Sequence, residues 1–199
     1  MNTPDIVDVI TPVVDALEQL GVAYHIGGSV ASSVYGTARS TLDADLVADL
    51  KPQQVRPFVE KLEPAYYIDS KMIADAIKRQ SSFNVIHMTT TMKVDIFIPK
   101  SGPFDRIAFG RARQDTLSES QEARLFYFAS PEDVVLRKLE WYKAGGSVSE
   151  RQWLDVLGVL KVQAQTLDYT HLRRWAEQLG VTDLLDQALK DAGIKRTGA

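Results

Sequence analysis

The sequence predicts an α+β fold, a mixed β-sheet flanked by helices and followed by a helical C-terminal segment. Two observations carry the prediction. Up to about residue 128, short apolar segments with a two-residue period alternate with segments of helical period. From Ser130 onward only the helical period is found. The composition, 45% hydrophobic and 25% charged over 199 residues, is that of a globular chain long enough to bury a core.

Pro4 to Leu20 reads as an amphipathic helix, with Ile6, Val9, Ile10, Val13, Val14, Leu17 and Leu20 recurring at helical spacing. Thr3 is its expected cap, Pro4 suits the first helical position, and Gly21 stops it. Val22 to Ile26 reads as a strand broken by Gly27-Gly28, and Ser29 to Tyr35 as a short helix ending at Gly36. Thr37 to Leu42 is a loop and Ala44 to Leu50 a second strand. Pro52 to Leu62 is helical, Ala65 to Ile68 a short strand, and Ser70 to Arg79 helical again. Phe83 to Met88 and Met92 to Ile98 read as two strands of a hairpin around Thr89-Thr90-Thr91. Ser101-Gly102-Pro103 is a loop, Phe104 to Gln114 is ambiguous, and Ala123 to Phe128 is a further strand.

Ser130-Pro131-Glu132 is a strong helix start, with a Ser cap, a Pro in the first turn and acids facing the positive end of the helix dipole. Helices are expected at 131–144, 149–163, 168–179 and 181–191. The expected organisation is a core of residues 1–128, including the N-terminal helix, with a helical subdomain of residues 129–199 packed on it.

Several function classes are excluded at this level. Cysteine is absent, so disulfides and thiolate metal sites are ruled out. The three histidines, His25, His87 and His171, have no zinc-ligand spacing and read as structural. A net charge of −3 is not that of a strongly basic nucleic-acid-binding chain. No apolar run is long enough to span a bilayer and the first residues lack a signal-peptide pattern, so no membrane association and a cytoplasmic setting are expected.

The chemistry lies in three short segments. In Asp43-Ala44-Asp45-Leu46, strand alternation points both carboxylates one way and Ala44 and Leu46 the other. Two carboxylates side by side repel unless a cation lies between them, and an oxygen-only donor set suits magnesium. In Lys93-Val94-Asp95-Ile96-Phe97-Ile98, Asp95 lies opposite an apolar face, where a carboxylate is paired, capped or metal-bound. If the two strands are neighbours, three carboxylates converge, enough to hold two divalent ions about 4 Å apart for in-line phosphoryl displacement. In His25-Ile26-Gly27-Gly28-Ser29, glycines allow a phosphate to approach the backbone, the helix start offers N–H groups, and Ser29 adds a hydroxyl.

Each segment also has a plain structural reading. Asp43 and Asp45 read as surface acids at a strand start, Asp95 as an ion-pair partner of Lys93 or of an arginine, and Ser29 as a helix cap. Lys138, among Val134, Val135, Leu139 and Trp141, reads as a lysine snorkelling out of a helix. Arg151 and Asp155, four apart, read as a pair on one helix. Trp141, Trp153 and Trp175 fit helix–helix packing.

The segments Gly27-Gly28-Ser29 and Gly36-x-x-Arg39-x-Thr41-x-Asp43-x-Asp45, with Val94-Asp95-Ile96 downstream, resemble the signature of the DNA polymerase beta-type nucleotidyltransferase superfamily. The look is closest to the bacterial abortive-infection type (AbiEii-like) and related minimal nucleotidyltransferases, which carry a helix similar to Pro131-Glu132-Asp133 through Lys138 and one similar to Arg151-x-x-x-Asp155. The resemblance spans roughly residues 22 to 160 and departs at Ala44, where that family has a branched apolar residue. It implies the nucleotidyltransferase fold and transfer of a nucleoside monophosphate from an NTP to a hydroxyl acceptor (RNA, protein or small molecule), with pyrophosphate leaving. Gly27, Gly28 and Ser29 would hold the triphosphate. Asp43, Asp45 and Asp95 would be the catalytic carboxylates and would bind two magnesium ions, with manganese as the alternative. Asp95 would also serve the acceptor hydroxyl as a candidate general base, and Arg39 and Lys138 are candidates for neutralising phosphate charge. The resemblance further implies a toxin role with an antitoxin partner. The alternatives are a non-catalytic nucleotide- or partner-binding module on the same fold, and an unrelated metal-dependent phosphohydrolase.

Overall fold

The computed structural model describes residues 6–117 and 123–194. The expected cap Thr3 and first-turn Pro4 lie outside them. The described residues fall into two compact units. The first holds the described residues up to Gly27 together with Ser40–Phe128, and the second holds Gly28–Arg39 and the described residues from Ala129 on. One division falls between Phe128 and Ala129, and residues 28–39 go with the helical unit. The reason is burial: the helix at Gly28–Tyr35 covers Val30, Ala31, Ser32 and Tyr35 against the helices at Pro131–Ala144 and Glu150–Gln163.

The first unit is built on a sheet. Helix α1 (Ile6–Gln19) buries Val9, Ile10, Val13, Val14, Ala16 and Leu17 and runs through Pro12, which is exposed. A burial of six apolar side chains outweighs the one helical hydrogen bond that Pro12 forgoes. Gly21, at φ 65°, ends the helix, with the Val22 N–H returning to the Leu17 carbonyl at 2.9 Å. Strand β1 (Tyr24–Ile26) then leads to Gly27. The second unit's α2 (Gly28–Tyr35) and a loop separate it from β2 (Asp43–Ala48).

A turn of 3₁₀ helix at Pro52–Gln54 leads into α3 (Val55–Leu62), then β3 (Tyr66–Tyr67). Helix α4 (Ser70–Arg79) is capped by the Asp69 carboxylate, which accepts from the Lys71 and Met72 N–H groups. Strands β4 (Ser82–His87) and β5 (Lys93–Phe97) form the expected antiparallel hairpin, with Thr91 at φ 59° in its turn. The ambiguous stretch resolves into α5 (Pro103–Gly110) and β6 (Arg113–Thr116). Pro103 is thus the first helical residue rather than the end of a loop, a position its fixed φ suits. Strand β7 (Leu125–Phe128) completes the sheet.

The sheet order is β3-β4-β5-β2-β1-β7-β6. It is mixed: β2 runs parallel to β5 and β1 to β7, and the other neighbours are antiparallel. Its buried positions alternate along β2 and β5, where Ala44, Leu46, Ala48, Val94 and Ile96 are fully covered. Phe58, Tyr66, Phe126 and Phe128 supply bulk to the same unit's core. The Tyr66 hydroxyl donates to the Val9 carbonyl at 2.7 Å, and burial pushes its pKa up to about 12.

The second unit comprises α2 with α6 (Pro131–Ala144), α7 (Glu150–Gln163), α8 (Tyr169–Leu179) and α9 (Thr182–Asp191). Ser130, Ser149 and Asp168 cap α6, α7 and α8 through side-chain oxygens. The acids at the start of α6 are buried and paired. Glu132 accepts the Asp168 N–H at 2.9 Å, and Asp133 bridges the Ser130 hydroxyl and His171 Nε2 at 2.8 and 2.7 Å. Gly36 and Gly158 allow the chain after α2 to touch α7. A Cβ on Gly36 would lie 2.7 Å from the Val159 nitrogen, and one on Gly158 3.1 Å from the Thr37 nitrogen. Trp175 is buried as expected, whereas Trp141 is 57% exposed and is not a packing residue of this unit's core.

Candidate functional site

The candidate residues form two groups, one in each unit. In the first unit, the parallel pairing of β2 with β5 sets Asp43 opposite Lys93 and Asp45 opposite Asp95. Cross-strand partners share a face, so these four side chains occupy the corners of one patch, on the side away from the buried Ala44, Leu46, Val94 and Ile96. The expected neighbourhood of the two acidic strands is thus realised in the backbone. The antiparallel partner of Asp95 on β4 is Asn84, which adds an amide to the same row. Asn84 was not legible as a site residue, since only the hairpin register places it there. Gly27 continues the pairing of β1 with β2 beside this patch, its N–H donating to the Asp45 carbonyl at 2.8 Å.

The patch already carries a cation. Lys93 Nζ lies 2.7 Å from Asp95 Oδ2, the ion-pair reading open at the level of sequence. The hydrogen bond to Asp95 raises the pKa of the ammonium, burial opposes this, and the fields of Asp95, Asp43 and Asp45 add to the rise. All three carboxylates therefore act on one positive charge. Asp43 is the outermost, with its Oδ1 2.8 Å from the Thr41 hydroxyl. Among the described residues, no three His, Asp or Glu side chains stand close enough to cage an ion as they are placed. The donor set nevertheless fits a hard divalent ion. It is all oxygen, it is partly open to solvent, and it carries an excess of negative charge that Lys93 only partly cancels.

In the second unit, Ser29 stands at the start of α2 and Arg39 follows that helix. The Arg39 guanidinium makes a two-pronged contact with Asp155, Nε to Oδ1 and Nη2 to Oδ2, both at 2.9 Å. Its Nη2 also donates to the Ser29 hydroxyl at 2.6 Å. Lys138 Nζ donates to the same Asp155 Oδ2 at 2.7 Å. Two expectations are corrected here. Lys138 does not snorkel to solvent; it is 8% exposed, because its ammonium has a buried carboxylate to reach. Asp155 does not pair with Arg151 one turn earlier, since both of its oxygens are taken by Arg39 and Lys138. Burial alone would raise the Asp155 pKa, but the hydrogen bonds from Arg39 and Lys138 and the charges behind them hold it below the usual carboxylate range.

Asp155 thus organises Ser29, Arg39 and Lys138, three residues singled out for phosphate binding, into one network. Sequence reasoning gave it no such role. The available signal was a lone acid on the apolar side of α7, near Val156 and Val159. His25 packs on Phe109, His87 bonds Thr90, and His171 bonds Asp133. Among the described residues, no helix is long and apolar enough to cross a membrane.

No protein-family model matches the sequence, and no curated protein matches it. Solved structures do. An antigenic nucleotidyltransferase-like protein from Paracoccidioides brasiliensis is similar at a TM-score of 0.51 and 17% identity, covering 91% of both chains. ANT(2")-Ia, solved in complex with adenylyl-2"-tobramycin, is similar at a TM-score of 0.51 and 14% identity, covering 92% of this chain and 97% of the other. The chain has the fold of these nucleotidyltransferase structures, a mixed sheet with helices.

Proposed function

We propose that the chain is a metal-dependent nucleotidyltransferase that moves a nucleoside monophosphate from an NTP to a hydroxyl of an RNA, protein or small-molecule acceptor. The observation that carries this reading is the register of β2 against β5, which pairs Asp45 with Asp95 and leaves Asp43 on the same face. Three carboxylates gathered on the open side of an otherwise buried pair of strands are costly unless a cation uses them. Asp43, Asp45 and Asp95 would hold magnesium or manganese, which when bound neutralises triphosphate charge and lowers the pKa of an acceptor hydroxyl.

The remaining roles belong to the chain's own groups. Asp95 is the candidate acceptor of the hydroxyl proton. Gly27 and Gly28 let a phosphate approach the backbone, and Ser29 offers a hydroxyl at the start of α2. Arg39, fixed by Asp155, presents a guanidinium beside that hydroxyl. Lys138 supports this arrangement through the shared carboxylate. The resemblance to AbiEii-like proteins supports a toxin role with an antitoxin partner. That part is tested by growth arrest on expression and its relief by the product of a neighbouring gene.

One observation favours a non-catalytic nucleotide- or partner-binding module instead: Lys93, beside the candidate acids of the first unit, and Arg39 and Lys138, the candidate phosphate-binding cations of the second, are each paired with a carboxylate of the chain itself. Calorimetric titration with ATP, GTP, CTP and UTP, with and without magnesium, separates the readings when run beside an Asp43→Asn/Asp45→Asn variant. Magnesium-dependent binding lost in the variant, followed by pyrophosphate release with an acceptor, supports the enzyme. Binding that survives the substitutions places the nucleotide elsewhere, and released monophosphate in place of pyrophosphate would mark a phosphohydrolase.

A further inference from the structure

We propose that Lys93 is a resident counter-ion of the three-carboxylate patch, holding Asp95 until a divalent ion displaces its ammonium and thereby setting the affinity of the patch for metal. The inference rests on the reading of Asp43, Asp45 and Asp95 as metal ligands. Its basis is geometric. Lys93 is fixed by register at the fourth corner of the patch, directly across from Asp43 and two residues before Asp95 on the same face. Its Nζ is bonded to Asp95 Oδ2 at 2.7 Å, and the charges of Asp43 and Asp45 reach it as well.

A flexible four-carbon stem lets such an ammonium come and go. The Lys93 side chain is 42% exposed and that of Asp95 21%, so on release the charge returns to water without a buried gap being left. An ammonium is a point donor with no fixed coordination geometry, and it can neutralise a loosely gathered set of carboxylates. A divalent ion needs them drawn together around it. This accounts for a patch whose acids share one face and one cation without forming an ion cage. Entry of a divalent ion requires Asp95 to exchange its partner. The lysine charge then remains nearby as a repulsive term, so the patch binds metal more weakly than three carboxylates alone would.

The test is Mn²⁺ binding to the full chain without nucleotide, read from the electron paramagnetic resonance amplitude of free Mn²⁺. Wild type is compared with Lys93→Met, Lys93→Gln, Lys93→Arg and Asp45→Asn. Removing the charge should tighten Mn²⁺ binding on the order of tenfold in both uncharged variants. Lys93→Arg should stay near wild type, and Asp45→Asn should lose the ion. Metal-free Lys93→Met should also melt below wild type and recover more of its Tm when Mn²⁺ is added. Equal or weaker binding by both uncharged variants, with Asp45→Asn still losing the ion, overturns the role of Lys93 and leaves the metal site standing. Binding by neither wild type nor the uncharged variants overturns the metal reading, and this inference with it.

Discussion

Replacing Asp155 with alanine should be among the most damaging single changes in the helical unit. Asp155 is 9% exposed and answers two cations, Arg39 and Lys138, through both of its oxygens. The two partners lose unequally. The Arg39 side chain is 25% exposed, so water and the Ser29 hydroxyl take up part of its charge, and a partly exposed pair contributes about 1 kcal/mol or less. The Lys138 side chain is only 10% exposed and would be left as a buried, uncompensated ammonium, a loss of about 3–5 kcal/mol. The expected destabilisation is therefore about 3–5 kcal/mol, which for a chain of this size lowers Tm by about 6–20 °C. Trp141, Trp153 and Trp175 all belong to the helical unit, so urea unfolding followed by tryptophan fluorescence reads it directly. A Lys138→Met/Asp155→Leu double variant, which removes the stranded charge with its partner, should be about 2 kcal/mol more stable than Asp155→Ala. A loss below about 1 kcal/mol for Asp155→Ala, or strict additivity of the two sites, would refute the argument that Asp155 is needed to neutralise Lys138.

The same carboxylate gives a pH signature. Its pKa is depressed in the folded state, so its stabilisation is complete above the unfolded value of about 4 and disappears as pH falls through the lower folded value. The Tm gap between wild type and Asp155→Asn should accordingly be constant from pH 7 to 5 and narrow progressively below about pH 4; a gap that stays as wide at the acid end as at pH 7 contradicts this. Gly36→Ala should cost about 1–3 kcal/mol in chemical denaturation, because the new Cβ meets backbone atoms of Val159 and Gly158 at 2.7 and 2.8 Å, which cannot swing aside as a side chain can. Gly110→Ala, with nothing within 4 Å, is the control and should change stability by less than about 1 kcal/mol.

What sequence makes legible here is what depends on local period. The alternation in Asp43-Ala44-Asp45-Leu46 and around Asp95 fixes which side chains share a face, because a strand repeats every two residues wherever it is placed. Helix α4 and helix α6 have the ends their local sequence leads one to expect, since a side-chain cap such as Asp69 or Ser130, a Pro in the first turn and a glycine stop such as Gly145 act through nearest neighbours. The short, weakly periodic pieces, α5 and β6, carry no clear local signal, and Pro103, whose Ser-Gly-Pro setting predicts a loop, opens a helix.

Whether Asp45 and Asp95 meet is a different kind of fact. It required β5 to return beside β2 in parallel and in one register out of several; a slip of one residue would have turned Asp95 to the buried face. Membership of α2 in the helical unit was likewise decided by packing, through two glycines, Gly36 and Gly158, that no local pattern links. The role of Asp155 followed the same course. Its bonds to Arg39 and Lys138 join residues 116 and 17 positions away, and its nearer candidate, Arg151, lost to them because burial leaves a carboxylate to whichever cations are buried with it. The sequence by itself determined the chemical groups and the face each would occupy on its own element. Tertiary structure decided which of those faces met, because only long-range pairing and burial bring distant charges into each other's field.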